Sequence, residues 1–76
     1  MIPERRPSAD IITDAAILYG VTESDITGPR RHKSVVEARW AVMAALDQMG
    51  WTTPRIGKRL NRDHTTVLHG LGRLGK

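Results

Sequence analysis

Residues 62–70 read RDHTTVLHG, and the first five of them crowd donors and acceptors into little more than one helical turn. Arg62 offers a fixed fork of N–H donors, Asp63 only accepts, His64 does either, and Thr65 and Thr66 each carry a hydroxyl beside a methyl. Val67, Leu68 and Leu71 then follow at spacings that suit the buried side of a helix. Catalysis is a poor fit for this set. Neighbouring helical residues fan out by about 100°, so Asp63, His64 and Thr65 cannot line up as orienter, base and nucleophile. His64 and His69 stand five apart, a poor spacing for a metal pair, and no carboxylate completes one. A helix with a polar start and an apolar grip is instead built to present its N-terminal end to something outside the protein.

Charge indicates what that something is. Residues 1–29 carry two Arg against five acids, a net of −3, whereas residues 30–76 carry ten Lys/Arg against three acids, a net of +7. Basicity confined to one part of a small chain is the electrostatic footprint of a nucleic-acid binder. A second concentration lies in GPRRHK, residues 28–33, where Arg30, Arg31 and Lys33 follow a Gly-Pro break. A basic loop of this kind can lay an Arg into a minor groove while the helix after it meets phosphates through Arg39.

The elements that position these groups read as short helices. Aromatics are few, β-branched and polar residues do not alternate, and Ala and Leu are frequent, which predicts an all-α fold. Two prolines and several charges make residues 1–8 a loose arm, leaving 9–76 as one domain. A first helix is predicted from Ser8 or Asp10 to Tyr19, with Ile12, Ala15, Ala16 and Tyr19 inward and Gly20 as its stop. Thr22 caps a short second turn through Ile26. Ser34 and Glu37 have capping-box spacing at the head of a long helix, whose stripe of Val35, Ala38, Val42, Ala45, Leu46 and Met49 runs to Gly50. Thr53 is predicted as the cap and Pro54 as the first residue of another short helix, with Ile56 and Leu60 buried. Asn61-Arg62 turns the chain, and the last helix starts near Asp63, burying Val67, Leu68, Leu71 and Leu74. Short helix, turn and second helix form a helix-turn-helix, which places Asp63, His64, Thr65 and Thr66 where a major groove can be read.

Several of these stretches together resemble a known family, the C-terminal DNA-binding domain of the bacterial replication initiator DnaA. RDHTTVLHG is similar to its signature, SVVEARWAVMAAL (34–46) to its long helix and TTPRIGKRL (52–60) to the first helix of its helix-turn-helix. IITDAAILYGVTESDITGPRR (11–31) is similar to its opening helices and basic loop, so the likeness covers about residues 9–74. The resemblance implies a small multi-helix domain related to the Trp-repressor type, binding double-stranded DNA at DnaA-box-like sites. It implies base contacts from Asp63, His64, Thr65 and, in the minor groove, Arg31, with Arg30 the lesser choice. It implies backbone contacts from Arg30, Lys33, Arg39, Thr53, Pro54, Arg62, Thr66 and His69.

Three departures stand out: Asn61 alone separates Leu60 from Arg62, Trp40 follows Arg39 where Gln is usual, and Asp47 stands where a base is common. No G-x-x-x-x-G-K-[ST] phosphate loop occurs, so no nucleotide, cofactor or metal is expected. With no Cys, no apolar stretch long enough for a bilayer and no dimer seam, the expectation is a cytoplasmic, nucleoid-associated monomer. It would be a complete small product, phage- or mobile-element-encoded, that modulates replication or transcription by occupying its sites. The alternative expectation is a protein-interaction module of the same fold, working through Trp40, Trp51 or the acidic first helix.

Overall fold

A computed structural model describes residues 8–73, which form five α-helices and no strand. In chain order these are α1 (Ser8–Tyr19), α2 (Glu23–Thr27), α3 (Lys33–Gln48), α4 (Thr53–Arg59) and α5 (His64–Arg73). The expected arm at 1–7 and the expected burial of Leu74 lie outside the described residues. Ser8 itself belongs to α1 and not to an arm.

Three of the turns use the same device. After α1 the Val21 N–H donates to Ala16 O (2.9 Å) and the Gly20 N–H to Ile17 O (3.3 Å). After α3 the Trp51 N–H donates to Leu46 O (3.1 Å) and the Gly50 N–H to Asp47 O (3.0 Å). After α4 the Arg62 N–H donates to Gly57 O (2.7 Å) and the Asn61 N–H to Lys58 O (3.4 Å). Each is a Schellman closure, in which one residue in the left-handed region lets two free carbonyls be satisfied. Gly20 (φ 69°) and Gly50 (φ 92°) take that position without a Cβ penalty, and Asn61 (φ 57°) takes it as the side chain best suited after glycine.

α3 packs against all four other helices. Its Ala38, Val42, Met43 and Leu46 are buried, and they meet Ile12, Ala15 and Ala16 of α1, Ile26 of α2, Ile56 and Leu60 around α4, and Val67 and Leu71 of α5 in one core. Alanines on both α1 and α3 let those two axes approach closely.

Two helix starts differ from the sequence reading. α3 begins at Lys33 with His32 as its cap residue and no side-chain cap bond, so the expected Ser34–Glu37 box does not form. The capping box sits instead at α2, where the Asp25 N–H donates to Thr22 Oγ1 (3.0 Å) and the Thr22 N–H to Asp25 Oδ2 (3.3 Å). α4 is capped by Thr52, whose Oγ1 accepts from the Arg55 N–H, so Thr53 already lies inside the helix.

Candidate nucleic-acid interface

α5 is set against α4 and α3 by two glycines, one for each contact, that leave no room for a Cβ. One added at Gly57 would stand 2.5 Å from Arg62 O, so only glycine lets the turn cross α4 this closely. One added at Gly70 would meet Trp40 Cδ1 at 2.9 Å and Met43 Sδ at 3.0 Å, so the indole of α3 slides directly under α5. Asp63 O accepts from the Thr66 and Val67 N–H groups and opens the helix. Val67, Gly70 and Leu71 then face inward, while Asp63, His64, Thr65, Thr66 and His69 are exposed. Asp63 Oδ1 lies 3.3 Å from His64 Nδ1, both side chains being largely exposed. Leu68 was expected in the core and is 53% exposed, because Val67 and Leu71 already complete the inward stripe and Leu68 is turned about 100° from Val67.

The basic loop is tied to the turn of the helix pair. Asn61 Nδ2 donates to Thr27 O (3.1 Å), and Arg62 Nη2 donates to Gly28 O. Arg62 Nη1 also reaches Leu60 O and Asn61 O at 3.2 and 3.1 Å. From below, Arg39 braces the same loop. Its Nε donates to Ile26 O (2.7 Å) and its Nη2 to Asp25 O (2.9 Å), Gly28 O (3.1 Å) and Arg30 O (3.0 Å). Arg39 is only 5% exposed and is the one charged residue in the described core. Beyond this brace Arg31, His32 and Lys33 are exposed, and Arg30 stands 3.8 Å from Asp25.

Loop, α3 and α5 enclose an open cleft lined by Pro29, Arg31, Arg39, Trp40, Arg62 and Thr66. Among the described residues no carboxylate lines it. Burial, and then the neighbouring Arg62 charge, push the Arg39 pKa down to about 10. Burial, and then Arg31, lower that of Arg62. Arg39 and Arg62 repel one another, and Arg62 and Arg31 likewise, so the cleft is a standing attraction for an anion.

The bacterial DnaA protein helix-turn-helix family matches residues 8–73. The chain belongs to this DnaA family. It is similar to the chromosomal replication initiator protein DnaA of Caulobacter vibrioides (strain NA1000 / CB15N), 39% identical over 74 residues, covering 93% of this chain and 15% of that protein. Likewise it is 41% identical over 58 residues to the DnaA of Ruegeria sp. (strain TM1040), covering 74% of this chain and 12% of that protein. Against the DnaA of Limosilactobacillus fermentum it is 38% identical over 61 residues, or 78% of this chain and 14% of that protein. The chain thus spans about an eighth to a seventh of the length of these relatives. No solved structure gives a significant match.

Membership of the DnaA helix-turn-helix family supports DNA binding. The structure brings Asp63, His64, Thr65, Thr66 and His69 onto the exposed side of α5, and Arg31 and Arg62 onto the adjoining cleft. Arg30 and Lys33 lie exposed on the loop and at the head of α3; in the first turn of α4 Pro54 is exposed and Thr53 half-buried. Arg39 departs from the expected placement. Its guanidinium faces two carbonyls of α2, Asp25 O and Ile26 O, and two of the loop, Gly28 O and Arg30 O, which engage its Nε and Nη2 hydrogens. Sequence reasoning missed Gly70 and the seating of Trp40 beneath it. The signal was a Trp on one helix and a mid-helix Gly on another, a pair whose meeting only the fold reveals.

Proposed function

We propose that the chain reads DnaA-box-like sites in double-stranded DNA and acts by occupying them, as a modulator of replication or transcription. The observation that carries this reading is the pairing of an exposed polar first turn on α5 with an arginine-lined cleft directly beside it. Asp63, His64 and Thr65 reach base edges in the major groove, where Asp accepts from a cytosine amino group and a Thr methyl lies against that of thymine. Arg31, free of the protein bonds that hold Arg39 and Arg62, enters the minor groove. Arg30, Lys33, Thr53, Pro54, Thr66 and His69 approach the phosphate backbone. Arg62 and Arg39 contribute their charge from within the cleft while they hold the loop in place.

The rival reading, a protein-binding module, has the exposed Ile17 and Leu18 of α1 to work with. It leaves the arginine cleft without a purpose. Fluorescence-anisotropy titration of the chain against a DnaA-box duplex, a scrambled duplex and an RNA hairpin, each at two salt concentrations, tests the proposal. Preference for the box, weakening steeply with salt, is the expected result. Equal binding to both duplexes would remove the box from the proposal, and no binding to any would move the function to the rival.

A further inference from the structure

A second basic surface lies apart from the reading face. Trp51, Arg55, Lys58 and Arg59 line a shallow depression along the outer edge of α4, and none of the four lines the arginine cleft or the hollows beside α5. Arg55, Lys58 and Arg59 share one helical face by their spacing of three and four residues. Among the described residues no carboxylate lies within ion-pair distance of any of them.

This is not a solvated charge run with freely moving side chains. Trp51 is half-buried and packs against the core, and its backbone N–H closes the α3 Schellman turn. The Arg55 guanidinium stacks over that indole, 3.8 Å from the ring centroid. Arg59 Nε donates to Ser8 Oγ at 2.8 Å, across to the start of α1. Two of three cations are therefore ordered by aromatic and hydroxyl contacts instead of by acids, so their charge remains available to a ligand. Their ordering entropy is already met before that ligand arrives.

We propose that this edge of α4 binds single-stranded nucleic acid. Lys58 and the Nη groups of Arg59 take two phosphates, and a splayed base lies on the Trp51–Arg55 stack. Aromatic and guanidinium planes beside backbone-directed cations form the combination that single strands use, because an unpaired base offers its flat face. A duplex keeps its bases stacked and would leave the indole unused. The site goes beyond the duplex-reading function and does not depend on it.

The test titrates the full chain against a labelled fifteen-thymidine strand and a blunt box duplex, with Arg55→Glu/Lys58→Glu and His64→Ala as variants. The charge-reversed variant is expected to lose about tenfold or more in affinity for the strand. Its salt slope should be shallower by about 0.7 per lost cation, with duplex binding kept. His64→Ala is expected to show the reverse pattern, which separates failure of this site from failure of the reading face. If the double variant loses helicity by circular dichroism, Lys58→Glu alone carries the same comparison. Undiminished strand binding, or an equal loss on strand and duplex, overturns the proposal. So does a chain that ignores the strand but binds phosphatidylglycerol vesicles through the same residues, since the phosphates would then be those of a lipid surface.

Discussion

Replacing Arg39 with Met keeps most of the aliphatic stem while removing every donor by which Arg39 holds the end of α2 and the basic loop; the Asn61 and Arg62 bonds to Thr27 O and Gly28 O remain. Four carbonyls lose a partner: that of Ile26, in a buried bond, and those of Asp25, Gly28 and Arg30 in partly buried ones. A hydrogen bond to a charged group contributes about 1.5–3 kcal/mol net, but water can reach the three outer carbonyls and offset part of their loss. Removing the charge also relieves its burial and its repulsion with Arg62, the two causes of its lowered pKa. The balance is a loss of roughly 2–4 kcal/mol, since the Ile26 carbonyl is left buried without this donor and the outer ones are only partly compensated by water or, at Gly28, by Arg62. A domain of this length has only about 4–11 kcal/mol in total, so the variant should be marginally folded. Urea unfolding followed by circular dichroism should show a much lower midpoint with an unchanged slope. Arg39→Lys should fall between, since one ammonium cannot span carbonyls that a planar fork reaches together. A loss below about 1 kcal/mol for Arg39→Met, or a Lys variant equal to the parent, would refute the bracing role.

Gly70→Ala should cost about 1–3 kcal/mol in thermal or urea unfolding, because its Cβ would press on Trp40 and Met43. Gly72→Ala, which meets nothing within 4 Å, should instead stabilise α5 by up to about 1 kcal/mol in the same assay. Asn61→Ala should lose the left-handed turn preference and the bond to Thr27 O together, lowering stability by about 1–2 kcal/mol, whereas Asn61→Gly loses only the bond. The Asp25 carboxyl is held below its ordinary value of 3.8, first by the bond it accepts from the Thr22 N–H. Its stabilising contribution is therefore present above that ordinary value and lost as pH falls through the lowered one. The melting temperature of Asp25→Asn should accordingly vary less with pH in the acid range than that of the parent.

The helices were legible because their signals are local. Gly20, Gly50 and Asn61 mark stops that depend on one residue's backbone freedom, and the stripe of α3 follows from period alone. The polar start of α5 was visible for the same reason, since donors and acceptors crowd into five consecutive positions. What sequence could not supply was direction. Spacing puts Arg39 on α3 but does not say whether its fork meets a phosphate outside or carbonyls inside, which depends on where the end of α2 and the loop after it pass. Leu68 and Val67 satisfy the same loose periodicity, and the room that Trp40 takes beneath Gly70 decides which side of α5 turns inward. Ser34 and Glu37 have the spacing of a capping box, yet α3 starts at Lys33, a residue before Ser34, so Ser34 cannot serve as the cap.

The central claim is that the first turn of α5 reads base sequence while the cations around it supply affinity without selectivity. The most direct measurement is the ratio of box to scrambled-duplex affinity, taken at one salt concentration for the parent chain, Thr65→Ala and Lys33→Ala. The account predicts that Thr65→Ala loses about 1–3 kcal/mol on the box and little on the scrambled duplex, so the ratio collapses. Lys33→Ala should weaken both duplexes alike and preserve the ratio. A ratio that survives Thr65→Ala and falls with Lys33→Ala would contradict it.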